Sequence, residues 1–225
     1  MKLVAISDTH LDHGFTIPDG DILVHAGDLT VRGTRREMIE ALDFLRDQPH
    51  QHKIIIAGNH DLYFETLMRH EIDSLTKGLI YLQDSGCMIE GLRFYGAPWQ
   101  PRVLRFKSGA YHHWAFNIKR GKELRQKWQI IPDGVDVLIT HTPPRGTGDQ
   151  STKYKTARYK AGCSDLRERV WEIKPKVHIF GHVHHGYGEY KKGGVYYANA
   201  ALCNYHQQVV NRPIEINYDQ ILRAA

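Results

Sequence analysis

A chain of 225 residues that is 41% hydrophobic and 24% charged has the balance of an ordinary water-soluble protein, and its length suits one substantial domain, expected to span residues 1–225. No apolar run approaches the roughly 20 residues of a membrane helix, and the N-terminus enters an apolar segment at once, without the series of charged, apolar and cleavable regions of a leader, so a cytoplasmic protein with no membrane partner is expected. Cys87, Cys163 and Cys203 are widely spaced and form no CxxC pair, which argues against a disulfide framework and a thiolate zinc site, while the net charge of +5 favours anionic ligands without selecting one.

Residues 3–6 predict a buried strand that runs into Ser7-Asp8-Thr9-His10. In an extended segment Asp8 and His10 share a side and reach one ion. An isolated DxH is more often turn chemistry, so the pair counts only with support from elsewhere. Residues 21–25 predict a second strand, closing in His25-Ala26-Gly27-Asp28, where the glycine lets the chain turn and present Asp28 at the same sheet edge. A carboxylate can bridge two cations with its two oxygens, which makes Asp28 the candidate bridge. His25 lies on the strand itself and is expected to support the site or pack in the core.

Residues 34–48 predict an amphipathic helix, with Thr34 as cap, Glu37 at capping-box distance and Met38, Ile39, Leu42 and Leu45 as the apolar stripe. Residues 53–57 predict a third strand leading into Gly58-Asn59-His60-Asp61. Strand, helix and strand, each strand followed by polar residues, indicate an α/β sheet with its site at the carboxyl ends of the strands. A helix is predicted from residue 62 to 69, short strands over 79–82, 87–90 and 92–95, and a rigid loop over 97–102. The segment 102–114 is irregular, basic and aromatic; it can line a substrate mouth, and Arg102 is a candidate contact.

After a helix over 120–128, residues 135–140 predict the strand that delivers His141. Residues 142–162 are rich in Gly, Pro, Lys and Arg and show no period, so a long loop is expected, with Arg145, Lys153 and Lys155 as candidate phosphate contacts. A helix over 164–172 precedes the strand 177–180, which ends at Gly181. His182 and His184 then occupy alternate positions and diverge, so that each can serve one of two neighbouring ions. Residues 188–197 predict a hairpin and 213–218 an edge strand.

The blocks DTH, GD, GNHD, TH and GHVH follow apolar strands in order along the chain, and together they resemble the calcineurin-like metallophosphoesterase superfamily. Residues 96–101, 140–144 and 186–188 are similar to its small members with cyclic-nucleotide phosphodiesterase activity. The resemblance implies an α/β, four-layer α/β/β/α sandwich of two mixed sheets flanked by helices. It also implies one metal held by Asp8, His10, Asp28 and His184, a second held by Asp28, Asn59, His141 and His182, and His60 as a catalytic histidine beside the leaving group. Asp61, where several relatives carry glutamate, is grouped with His60 as catalytic, and His185 is a candidate substrate contact. A shell of imidazole, amide and carboxylate suits two divalent transition-metal ions (Mn, Fe, Zn, Co or Ni) better than Mg. The expected function is hydrolysis of cyclic nucleotides or related small phosphodiesters by in-line attack of a metal-bridging hydroxide. The alternatives are a nuclease or phosphomonoesterase on the same centre, or a catalytically silent metal-binding interaction module; long nucleic acid is not favoured as a partner.

Overall fold

The structure is a computed structural model that describes residues 1–102, 114–154 and 157–223, with backbone alone for 151–154 and 157–160. Lys155 and residues 103–113 of the basic, aromatic segment lie outside the described residues, and so does the side chain of Lys153.

Apolar alternation along the strands decides which neighbour each face meets. In edge-to-edge order the first sheet is Ile214–Asn217, Lys2–Ile6, Ile22–His25, His52–Ile55 and Ile80–Tyr81; the second is Gly188–Lys192, Val195–Asn199, Val177–Phe180, Val137–Thr140, Leu92–Ala97 and Ser85–Ile89. Both are mixed: the inner strands pair in parallel, and antiparallel strands close one edge of the first and both edges of the second. Leu3, Ala5, Ile22 and Val24 of the first sheet pack on Val137, Ile139, Val177 and Ile179 of the second. Their neighbours Val4, Ile6 and Leu23 face outward onto Met38, Leu42 and Leu45 of the helix Arg35–Arg46 and Ile72 of the helix Arg69–Leu75. On the far side Tyr95, Leu138, Phe180 and Tyr197 meet Leu124 and Trp128 of the helix Lys122–Gln129 and Leu166 and Val170 of the helix Ser164–Ile173. Three apolar interfaces thus separate four layers, the α/β/β/α order the resemblance implies. Each fully buried large aliphatic chain contributes about 1.5–3 kcal/mol.

The helix Arg35–Arg46 starts where the capping box places it: Glu37 N–H donates to the Thr34 hydroxyl at 3.3 Å, and Thr34 N–H donates to the Glu37 carboxylate at 3.4 Å. Two other expectations are corrected. The single helix over 62–69 is instead Leu62–Glu65 and Arg69–Leu75, because Thr66 and Leu67 N–H bond three residues back to Tyr63 and Phe64, and extended Met68 restarts the chain with its N–H on Glu71 at 2.7 Å. The loop over 142–162 contains an antiparallel pair, Gln150–Tyr154 with Ala157–Lys160, too polar to show as an apolar period.

Every segment carrying a predicted ligand leaves the carboxyl end of a parallel strand: Lys2–Ile6, Ile22–His25 and His52–Ile55 in one sheet, Val137–Thr140 and Val177–Phe180 in the other. At that edge the sheets are stitched together by Leu202 N–H on the Ser7 carbonyl at 2.9 Å. Among the described residues no helix is long and apolar enough to cross a membrane.

Candidate metal centre

The ligand turns are tighter than the extended geometry expected of them. Asp8, His10, Asp28 and His182 all take left-handed backbone angles, with φ of 54°, 45°, 57° and 64°, and His184 opens a short 3-10 turn. Side chains therefore converge by sharp turning rather than by strand alternation. Glycine makes the room: a Cβ on Gly181 would lie 2.0 Å from Asp8 Oδ2, and one on Gly58 would lie 2.3 Å from Asp28 Oδ1. His182 N–H donates to Asp8 at 2.9 Å and His60 N–H to Asp28 Oδ1 at 2.8 Å, so backbone amides aim both carboxylates.

Three sets of potential ligand atoms, each set within 4.8 Å, result: Asp8 with His10 and His184; Asp28 with His141 and His182; and His10, Asp28 and His60. Asn59 joins the second set through its Oδ1, which lies 3.1 Å from His141 Nε2 and 2.8 Å from His182 Nδ1. The structure thus groups these residues as the resemblance divides them between two ions, with Asp28 shared between sets, and distance alone also admits His60.

The tautomers test whether cations fit. Carbonyl oxygens accept from Nδ1 of four rings: Thr30 from His10 at 2.9 Å, Val31 from His60 at 2.6 Å, Ala26 from His141 at 2.9 Å and Asn204 from His184 at 3.0 Å. In each neutral ring Nε2 is then a lone pair. The His141 lone pair faces Asp28 Oδ2 at 3.2 Å as well as Asn59 Oδ1, and that of His184 faces Asp8 Oδ1 at 3.1 Å. Acceptors facing acceptors in a buried site demand a positive charge between them, and divalent ions taking nitrogen and oxygen donors fit.

The ionisation of the groups carries the same message. Burial lowers the pKa of His141, but Asp28, by charge and hydrogen bond, raises it to about 9. Burial likewise works against His184, and the hydrogen bond and charge of Asp8 raise it. Burial would raise Asp8 and Asp28, yet the hydrogen bond and charge of His184 hold Asp8, and chiefly His141 holds Asp28, below the usual carboxylate range. Burial with the charge of His141 pushes His182 down to about 3, and burial lowers His10. The ionised carboxylates thus hold a proton on His141 and on His184 at the positions a cation would take, while His10 and His182 stay neutral, and metal binding would release those two protons.

His60 stands at the rim, edge-on to His10 at 4.6 Å between ring centroids and 4.3 Å from Trp114. The segment bearing Trp114 is anchored by Ala115 N–H on the Asn59 carbonyl at 2.9 Å. Asp61 does not face the His60 ring. It is fully buried, and its carboxylate accepts from Gly58, Leu29 and Thr30 N–H and from the Thr30 hydroxyl. Burial and the charge of Asp28 push it up to about 6 against those donors. Arg102, Arg145 and His185 are exposed, and no described contact joins either arginine side chain to the cluster.

Three supporting residues escaped sequence reasoning or were left open by it. Thr30 binds His60 and Asp61. Asn199 donates to the carbonyls of Val183 and Gly148, both at 2.9 Å, and so fixes the turn between His182 and His184. His25 supports the site: its Nδ1 accepts from Gly27 N–H and its Nε2 donates to the Thr9 hydroxyl at 3.0 Å, joining the first two ligand turns. For Thr30 the only signal was its place two residues after Asp28.

Comparison with known proteins matches residues 1–186 to the calcineurin-like phosphoesterase family. Metallophosphoesterase domain-containing protein 1 of Homo sapiens is 38% identical over 96% of this chain and 70% of its own length. The UPF0046 protein K07C11.7 of Caenorhabditis elegans is 40% identical over 95% of this chain and 74% of its own. Among solved structures, the phosphopantetheinyl hydrolase PptH of Mycobacterium tuberculosis shares the fold, with a TM-score of 0.59 at 16% identity over 92% of this chain and 90% of that one.

Proposed function

Because this chain belongs to the calcineurin-like phosphoesterase family, whose members hydrolyse phosphate esters at a dinuclear divalent metal centre, we propose that it is a phosphodiesterase acting on cyclic nucleotides or related small phosphodiesters. The observation that carries the reading is the position of Asp28. One of its oxygens is held by His60 N–H, the other faces His141, and it falls within ligand reach of His10 on one side and of His182 on the other. Asp8, His10, Asp28 and His184 would hold one ion; Asp28, Asn59, His141 and His182 would hold the other.

Bound there, the ions would lower the pKa of water and neutralise phosphate oxygens. The residues of the chain supply the rest. Buried carbonyls take Nδ1–H of His10, His141 and His184 and so aim each Nε2 at the ion positions, and no ring must turn to bind a cation. Proton delivery falls to His60. With its Nδ1–H given to Val31, the ring can donate from Nε2 only as imidazolium. A ribose alkoxide is a poor leaving group without a proton, so a donor at this rim suits a nucleotide ester. The likeness of residues 96–101, 140–144 and 186–188 to cyclic-nucleotide phosphodiesterases supports the diester over the monoester.

A panel of 2′,3′- and 3′,5′-cyclic nucleotides, mononucleotides and short oligonucleotides, assayed with manganese against a chelated control, tests the reading. Metal-dependent turnover of cyclic nucleotides above the other classes is expected. Turnover of monoesters or oligonucleotides alone overturns it.

A further inference from the structure

Around the rim of the candidate metal centre, aromatic rings follow one another without a gap. Trp114 lies 4.3 Å from His60, His60 4.6 Å from His10, His10 5.7 Å from His184, His184 5.5 Å from Tyr205, and Tyr205 4.3 Å from His185. The middle of this arc faces the carboxylates. Its last two members, Tyr205 and His185, belong to no set of ligand atoms.

The Tyr205 ring lies within 20° of parallel to His184, yet 49% of the residue's surface is exposed. A tyrosine kept for core packing would be covered. Its loop is held rather than loose. Cys203 bridges Val209, Asn204 N–H donates to the Gln208 carbonyl at 2.9 Å, and Asn204 Oδ1 accepts from the N–H of His206 at 2.8 Å and of Gln208 at 3.2 Å. Asp12 secures the loop from outside by accepting Val209 N–H at 3.0 Å. The Asn204 carbonyl that receives His184 Nδ1–H immediately precedes Tyr205, so one peptide unit sets both a candidate ligand and the ring beside it. An aromatic face fixed in advance binds a planar partner at little entropic cost.

We propose that Tyr205, with His185 beside it, is the stacking platform for the base of a nucleotide-type phosphoester and determines the preference for base-bearing over base-free substrates. The proposal rests on the nucleotide reading above. Stacking is tolerant of base identity, because every base has a π-face, so the platform selects for the presence of a base rather than for one base. It stands at the opposite end of the arc from His60, leaving the proton donor clear.

Manganese-loaded wild type, Tyr205→Ala and Tyr205→Phe are compared on a nucleoside 2′,3′-cyclic phosphate and on the base-free methyl riboside 2′,3′-cyclic phosphate. Tyr205→Ala is expected to lower the ratio of the two kcat/KM values about tenfold, mainly through KM, and Tyr205→Phe to keep the wild-type ratio, since a ring and not a hydroxyl is required. An unchanged ratio in Tyr205→Ala overturns the platform. Calorimetric binding of a nucleoside monophosphate and of ribose 5-phosphate to the same loaded proteins needs no turnover. If the wild type prefers the base-bearing ligand and Tyr205→Ala loses the preference, the platform stands even where no cyclic nucleotide is hydrolysed, an outcome that fells the substrate reading alone. Equal wild-type affinity for the two ligands overturns the platform.

Discussion

The carboxylate of Asp61 binds Thr30 twice, accepting its backbone N–H at 3.0 Å and its hydroxyl at 2.8 Å, and thereby ties the loop that carries His60 to the loop that carries Asp28. Its other oxygen takes Gly58 N–H at 2.8 Å and Leu29 N–H at 3.2 Å. The residue holds the two loops in register and positions His60 through the backbone. Asp61→Asn keeps one acceptor oxygen and turns an amide group toward N–H donors. A loss of about 3 kcal/mol is expected in urea unfolding of the chelated protein, the order for charge-assisted bonds to a buried carboxylate. A variant as stable as the wild type would refute the staple.

His60 differs from the surrounding imidazoles in standing at the rim against Trp114. His60→Ala is expected to keep its metals and to lose roughly 100- to 10,000-fold in kcat, the range for a positioned acid. The loss should be smallest for a nitrophenolate leaving group, which needs no proton. Kinetics on a series of diesters of rising leaving-group pKa measure it. A uniform loss across the series removes the acid role, and a loss of metal content together with activity would make His60 a ligand.

Asp28 lies in two of the ligand sets and His184 in one. Asp28→Asn is therefore expected to deplete both ions together, to well under one per chain, whereas His184→Ala should retain about one of two. Metal analysis of the purified variants after equilibration in manganese decides the matter. Equal stoichiometry in both variants contradicts a shared Asp28.

How much of this was legible beforehand followed from what each feature depends on. Strands such as Val137–Thr140 and Val177–Phe180 are runs of apolar residues closed by a polar turn, and the start of the helix at Arg35 is written in Thr34 and Glu37. Those signals are local. The Asp61 carboxylate takes Gly58 N–H nearby, but its reach to Leu29 and Thr30, about 30 residues away, leaves no trace in the sequence. Left-handed angles at Asp8 and His10 were equally hidden, because neither position carries a glycine to announce them. Tyr205 gave no warning either: its role comes from a loop closed by polar bonds and from the rings it meets across the site.

His178 allows a prediction away from the metals. It is fully buried on the outer face of the strand Val177–Phe180, among Phe180 and Tyr197. The Thr140 hydroxyl gives its proton to the Thr142 carbonyl at 2.7 Å, so it must accept from His178 Nε2–H at 2.9 Å, and Nδ1 is left as a bare lone pair with no partner among the described residues. A proton on Nδ1 would be an unpaired cation in an apolar layer. Burial accordingly pushes the His178 pKa down to about 3 from an ordinary 6.5. The unfolded chain takes up this proton as the pH falls through 6.5 while the folded chain does not, so stability present above that pH is lost progressively toward about 3. His178→Gln retains a donor for Thr140 and does not titrate. Between pH 6 and 4.5 its unfolding free energy in chelator should fall less steeply than the wild type's, by about 1.4 kcal/mol per pH unit. Parallel pH profiles for the two proteins would show that the buried ring takes a proton as readily as the unfolded one.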